Sequence, residues 1–206
     1  MSVVLKPRYT PEQYLDIERA ADYKSEYFDG EIFAMAGASE EHNTITFNLS
    51  GALVPQLRGT GCRGYAGDMR VTVDASGLYT YPDVVVVCGE RHFTDDHLDT
   101  LTNPTLIVEV LSPSTEGYDR GQKFANYRRI PSLETYVLVA QERAHIEKFE
   151  RRPDGQWLLS EASDLTGTLP LPSIGCTLVL AEVYDNVSFP PPALPQDGAE
   201  DAARSR

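Results

Sequence analysis

Three residues of this 206-residue chain, Asp83, Glu109 and Lys123, combine types and spacing suited to phosphate chemistry. Glu109 stands inside Leu106-Ile107-Val108-Glu109-Val110-Leu111, with apolar residues on both sides. An ionised carboxylate in such surroundings is costly unless it is paired or holds a metal. A strand that surfaces on one side, leaving Glu109 in water or in a structural ion pair, is the alternative. Asp83 follows Tyr81-Pro82 and opens a second apolar run, Val84 to Val87. Its other reading is a turn residue after proline. Magnesium favours one or two carboxylates together with substrate phosphate and retained waters, so this pair suffices chemically for a divalent site. Lys123 lies one turn inside a helix expected after Ser112-Pro113-Ser114, where an ammonium could orient water and offset charge on a phosphate. A solvated helix surface is the competing reading.

The elements that must position these groups are marked by punctuation and periodicity. Thr10-Pro11-Glu12-Gln13 predicts a capped helix start, followed by Tyr14, Ile17 and Ala21 at helical spacing. Asp29-Gly30 between Tyr23–Phe28 and Glu31–Ala36 predicts a hairpin. A second helix is expected from Ser39 to Gly59, with Ile45, Leu49, Leu53 and Leu57 on one face. Val84–Val87, Leu106–Val108 and Tyr136–Val139 read as strands covered on both faces. A helix over Asp119–Arg129 between the last two implies a parallel crossover. Arg143–Glu150 and Trp157–Leu159 read as a further hairpin around Pro153-Asp154-Gly155. Residues 1–188 are expected to form one domain, and the Pro/Ala/acid-rich residues 189–206 a disordered tail.

Composition narrows the function classes. No secretory h-region or membrane-length apolar run is present, which predicts a cytoplasmic protein. Cys62, Cys88 and Cys176 lack zinc-ligand spacing and are expected to be buried, reduced thiols. The formal net charge of −13 opposes non-specific nucleic-acid binding, which depends on neutralising phosphates. The imbalance is uneven: residues 120–152 carry eight Lys/Arg against four Asp/Glu.

The segments Tyr81 to Val87, Leu106 to Ser114, Arg120-Gly121-Gln122-Lys123 and Tyr127-Arg128-Arg129 resemble the bacterial Uma-two family. So do Ser25 to Glu31 and His42, in consistent order over roughly residues 10 to 185. The resemblance implies a branch of the PD-(D/E)XK superfamily: an α/β (α+β mixed) restriction-endonuclease-like core with a central mixed sheet flanked by helices, preceded by the N-terminal helix and hairpin. It implies that Asp83 matches the PD aspartate and Glu109 the second acid. The plain motif would place lysine two residues after Glu109, where this chain has Leu111; Lys123 matches a lysine moved to the following helix. Glu31 and His42 also fall in the family's pattern, and Tyr127 packs beside Lys123 as a supporting candidate.

The function so implied is a Mg2+- or Mn2+-dependent endonuclease hydrolysing DNA phosphodiesters, the metal held by Asp83, Glu109 and the Val110 backbone carbonyl, with Glu31 as a further candidate ligand. A homodimer is expected, because a duplex offers two strands and symmetric pairs are the commonest oligomers. The alternative is a non-catalytic nucleic-acid- or protein-binding module on the same fold.

Overall fold

The structure is a computed structural model that describes residues 7–190. The expected tail falls almost entirely outside the described residues. Helix α1 (Pro11–Ala20) starts as its capping box dictates: the Thr10 hydroxyl accepts from the Gln13 amide, and the Gln13 side chain accepts from the Thr10 amide. Strands β1 (Ser25–Phe28) and β2 (Glu31–Ala34) form the hairpin. Asp29 and Gly30 both adopt positive φ, 46° and 84°, as a two-residue turn matched to strand twist requires. Helix α2 (Glu40–Leu57) is capped by Ser39 and buries Ile45, Leu49, Leu53 and Leu57.

The remaining strands are β3 (Cys62–Ala66), β4 (Arg70–Val73), β5 (Leu78–Thr80), β6 (Val84–Cys88), β7 (Thr100–Leu101), β8 (Leu106–Leu111), β9 (Thr135–Ala140), β10 (His145–Arg151), β11 (Trp157–Ser163), β12 (Thr168–Leu171) and β13 (Cys176–Val179). A six-stranded mixed sheet runs β11-β10-β9-β8-β6-β3, with β8 and β9 parallel and the other pairs antiparallel. One of its faces packs Val84, Val86, Leu106, Val108 and Val110 against α2 and the β12–β13 pair. The opposite face packs Val85, Val87, Ile107 and Leu111 against Val71, Leu78, Phe124 and Tyr127. A second sheet, β2-β1-β5-β4-β7, covers that side. Because β6 and β8 are covered on both faces, they read as unbroken apolar runs.

Two expectations need correction. The helix expected from Asp119 to Arg129 is instead α3 (Glu116–Tyr118), a π turn (Asp119–Lys123) and α4 (Phe124–Tyr127). One residue is accommodated by widening the helix, a feature frequent at functional sites. The cysteines are not three reduced thiols: Cys62 and Cys88 form a disulfide, and only Cys176 is free and buried. Cys62 lies directly opposite Cys88 in the β3–β6 ladder, and that register is invisible in the spacing of the cysteines. Among the described residues no helix is long and apolar enough to cross a membrane.

Candidate active site

The β6–β8 register pairs Val84 with Val108, so one step further along the strands sets Asp83 opposite Glu109. Strand alternation puts both acids on the face that carries Val85 and Ile107. The ladder ends there, and the Asp83 carboxylate completes it by accepting a hydrogen bond from the Val110 amide at 2.7 Å. Both acids line one cavity of about 850 Å³, together with Glu26, His42, Val110, Asp119 and Lys123.

The π turn aims Asp119 and Lys123 at β8, and Tyr127 follows one turn later. The Lys123 ammonium is 3.1 Å from Glu109 Oε1, 3.2 Å from Glu26 Oε1 and 3.3 Å from Asp119 Oδ1. The Tyr127 hydroxyl donates to Glu109 Oε1 at 2.8 Å, and the Thr80 hydroxyl donates to Glu26 Oε1 at 2.5 Å. Lys123 is only 6% exposed and Glu109 only 3%, so the solvated alternatives for both residues are wrong.

Electrostatics follow from this crowding. Burial pushes the Glu109 carboxyl well above the usual carboxylate range; Lys123 opposes the shift, while Asp119, Asp83 and Glu26 add to it. Burial works against charging Lys123, but Glu109, Glu26 and Asp119 outweigh it and hold the ammonium well above the ordinary lysine value. Burial likewise raises Tyr127, with Glu109 adding to the effect, so its phenol stays a hydrogen-bond donor. His42, near the start of α2, sits with Nε2 3.3 Å from Asp83 Oδ2. Burial disfavours its charged form, but the hydrogen bond to Asp83, that carboxylate's charge and the Val110 carbonyl raise its pKa overall.

Of the sequence candidates, the cavity brings together Asp83, Glu109, Val110, Lys123 and His42, with Tyr127 buried behind Glu109. It does not include Glu31, which opposes Phe28 beside the hairpin turn. The acid that arrives from this hairpin is Glu26, for which a strand-surface role would be the simplest reading of the sequence. Alternation turns Glu26 and Phe28 toward the six-stranded sheet while Ser25 and Tyr27 are buried on the other side. Asp119 was missed as well. Its signal was the 119/123/127 spacing, an i, i+4 stripe on one helical face.

Comparison with known proteins matches residues 11–181 to the Uma2 family, described as "Putative restriction endonuclease". Two proteins of Synechocystis sp. are similar. Uncharacterized protein sll1609 is 44% identical over 152 residues, covering 74% of this chain and 86% of the relative. Uncharacterized protein slr1290 is 39% identical over 185 residues, covering 89% and 95%. Among solved structures, a "putative nuclease belonging to DUF820" from Anabaena variabilis superposes with a TM-score of 0.70 at 16% identity, over 85% of this chain and 97% of that one. The architecture is therefore restriction-endonuclease-like.

Proposed function

Starting from the premise that the chain belongs to the Uma2 family, we propose that it is a divalent-metal-dependent endonuclease hydrolysing DNA phosphodiester bonds. The observation that carries this reading is a surplus of negative charge facing the cavity. Glu26, Asp83, Glu109 and Asp119 bring four carboxylates, against Lys123, the protonatable His42 and Lys24, whose ammonium is taken up by Asp68. Burial raises the Glu109 and Asp119 carboxyls, with neighbouring carboxylates adding to the effect, and a divalent cation among them would favour their charged forms.

The donor set fits such an ion. Asp83 uses Oδ2 for Val110 and His42, and Glu109 uses Oε1 for Tyr127 and Lys123. Their second oxygens, Asp83 Oδ1 and Glu109 Oε2, accept no hydrogen bond among the described residues. Asp83, Glu109 and the Val110 carbonyl would hold Mg2+ or Mn2+, hard cations that take oxygen ligands. Bound there, the ion would polarise the phosphate and lower the pKa of a water.

The chain's own groups do the rest. Tyr127 locks the Glu109 carboxylate, so little reorganisation is needed at the moment of reaction. Lys123 places fixed positive charge beside the acids, able to stabilise negative charge developing on the phosphate. His42 orients Asp83 and can exchange a proton with solvent at the cavity rim. Pairing of two copies would address both strands of a duplex, and we extend the reading to a homodimer; a concentration-independent monomer in sedimentation would remove that part.

The test is cleavage of linear, circular and single-stranded DNA with Mg2+ or Mn2+. Wild type should cut, and Asp83→Asn and Glu109→Gln should each lose at least about 10²-fold in rate while remaining folded by circular dichroism. Metal-independent DNA binding without cleavage, unchanged in both variants, would replace the enzyme with a binding module, the reading that the net charge of −13 favours slightly and the set Asp83, Glu109 and Lys123 disfavours.

A further inference from the structure

On the same side of the six-stranded sheet, near its opposite edge, four polar side chains project together from the β10–β11 ribbon. His145 and Glu147 are two apart on β10 and share a side; in the ladder Ser163 lies opposite His145, and Glu161 opposite Glu147. Glu147 and Glu161 are thus like charges placed directly across from each other, an arrangement that costs stability unless something between them is positive. We infer that His145, Glu147 and Glu161 form a second cation site, separate from the Asp83–Glu109 cavity, that takes a borderline transition metal such as Zn2+.

The geometry is that of a three-ligand site with an open side. His145 Nε2 is 3.1 Å from Glu147 Oε1 and 3.9 Å from Glu161 Oε2, and the three ligand atoms lie within 4.8 Å of one another. A tetrahedral ion with bonds of about 2.0–2.2 Å spaces its ligands about 3.3–3.6 Å apart, so movement of about 1 Å, available to the exposed Glu161 side chain, closes the site.

The groups behind the ligands are already arranged for the task. His145 Nδ1 is 3.0 Å from the Ser163 hydroxyl, which can accept from Nδ1–H once a cation replaces the proton that Nε2 now shares with Glu147 Oε1 at 3.1 Å. Glu147 Oε2 accepts from Arg120 Nη1 at 2.5 Å, leaving Oε1 for the metal. The Tyr184 hydroxyl accepts from the His145 amide and donates to the His145 carbonyl, holding the backbone beneath the imidazole.

Charge agrees with geometry. Glu116, which pairs with Arg120, joins Glu147 and Glu161 to give three negative charges against one guanidinium. The excess of two equals one divalent ion. An imidazole ligand disfavours Mg2+, which prefers oxygen and water, so the two sites differ in the metal they select. Glu161 is 60% exposed in its side chain, so the ion enters from solvent at that corner.

The experiment is titration of the full chain, free of any polyhistidine tag, with Zn2+ by isothermal calorimetry. It is run on wild type in saturating Mg2+ and on an Asp83→Asn/Glu109→Gln double variant. One equivalent of Zn2+ should bind in both, and the thermal midpoint of the double variant should rise with Zn2+ but not with Mg2+. His145→Ala should abolish the binding, Glu161→Gln at the exposed corner should weaken it without touching the fold, and Ser163→Ala should weaken it about 10-fold. Absence of Zn2+ binding in the double variant, or binding indifferent to both His145→Ala and Glu161→Gln, would overturn the inference. Either result would leave the nuclease reading untouched, because that rests on Asp83 and Glu109.

Discussion

The molecule contains two ionic networks, each built on a buried cation, Arg70 or Lys123, and they differ in how their charges are answered. Around Arg70, every arm of the guanidinium is matched: Nε donates to Thr100 at 2.8 Å, Nη1 to the Tyr81 hydroxyl at 2.8 Å, and Nη2 pairs with Asp99 at 2.9 Å. Tyr81 passes the chain on to Glu18, and Arg19 holds Asp95 and Asp99 at 2.8 Å each. Two guanidiniums meet three carboxylates, and little is left over. Around Lys123, one ammonium faces Glu26, Glu109 and Asp119, with Asp83 close enough to raise Glu109, and the group opens onto a cavity. Satisfied charge in packed surroundings makes scaffold; surplus charge of one sign beside open space makes a site for something that is not protein.

The contrast is broken or sharpened most strongly at Lys123. Lys123→Ala should slow DNA cleavage by about 10²–10⁴-fold if the ammonium stabilises charge in the reaction. Because Lys123 is buried, the variant should also lose stability, by about 3 kcal/mol, since it strands three carboxylates without their cation. Adding Glu109→Gln should recover part of that loss. Cleavage at the wild-type rate by folded Lys123→Ala would assign the lysine to charge balance alone. Single-turnover cleavage and urea unfolding read the two effects separately.

Arg70→Met should behave in the opposite way. Removing the central cation of a fully matched network should cost about 3–5 kcal/mol in unfolding free energy, while the cleavage rate per folded molecule stays put. A rate loss at conditions where the variant is folded would show that the two networks are coupled, with Tyr81, which also lines the cavity, as the shared member.

The smallest effect is expected at low pH. Arg19 holds Asp99 well below the usual carboxylate range against an opposing effect of burial, with Thr100 and Arg70 contributing, and it lowers Asp95 too. A depressed carboxyl pKa contributes stability that is present above the unfolded value of about 3.9 and is lost as pH falls through the folded value. The difference in urea midpoint between wild type and Arg19→Gln should therefore be flat from about pH 7 to 5 and shrink below about pH 4. Both acids are partly exposed, so its plateau should stay within about 1 kcal/mol. A difference that grew on acidification would contradict the lowered pKa values.

What could be read from residues alone was local or periodic. The capping box at Thr10, the Asp29-Gly30 turn and the spacing of Ile45, Leu49, Leu53 and Leu57 set their elements without help from distant chain. A carboxylate within an unbroken apolar run marked Glu109, because burial of such a group requires a partner whatever the fold. What needed the tertiary structure was anything that depends on register or on which strands become neighbours. The Cys62–Cys88 bond exists because β3 and β6 align those two residues, and no spacing rule anticipates it. Glu26 rather than Glu31 enters the cavity because the hairpin lies with one face toward β8, a choice made by packing between two sheets. The burial of Lys123 among Glu109, Glu26 and Asp119 was decided by where the π turn is seated against β8 and the hairpin. A sequence specifies the charges and the periods; only the folded chain decides which charges share a cavity, because in low dielectric the energy of each group depends on neighbours many residues away.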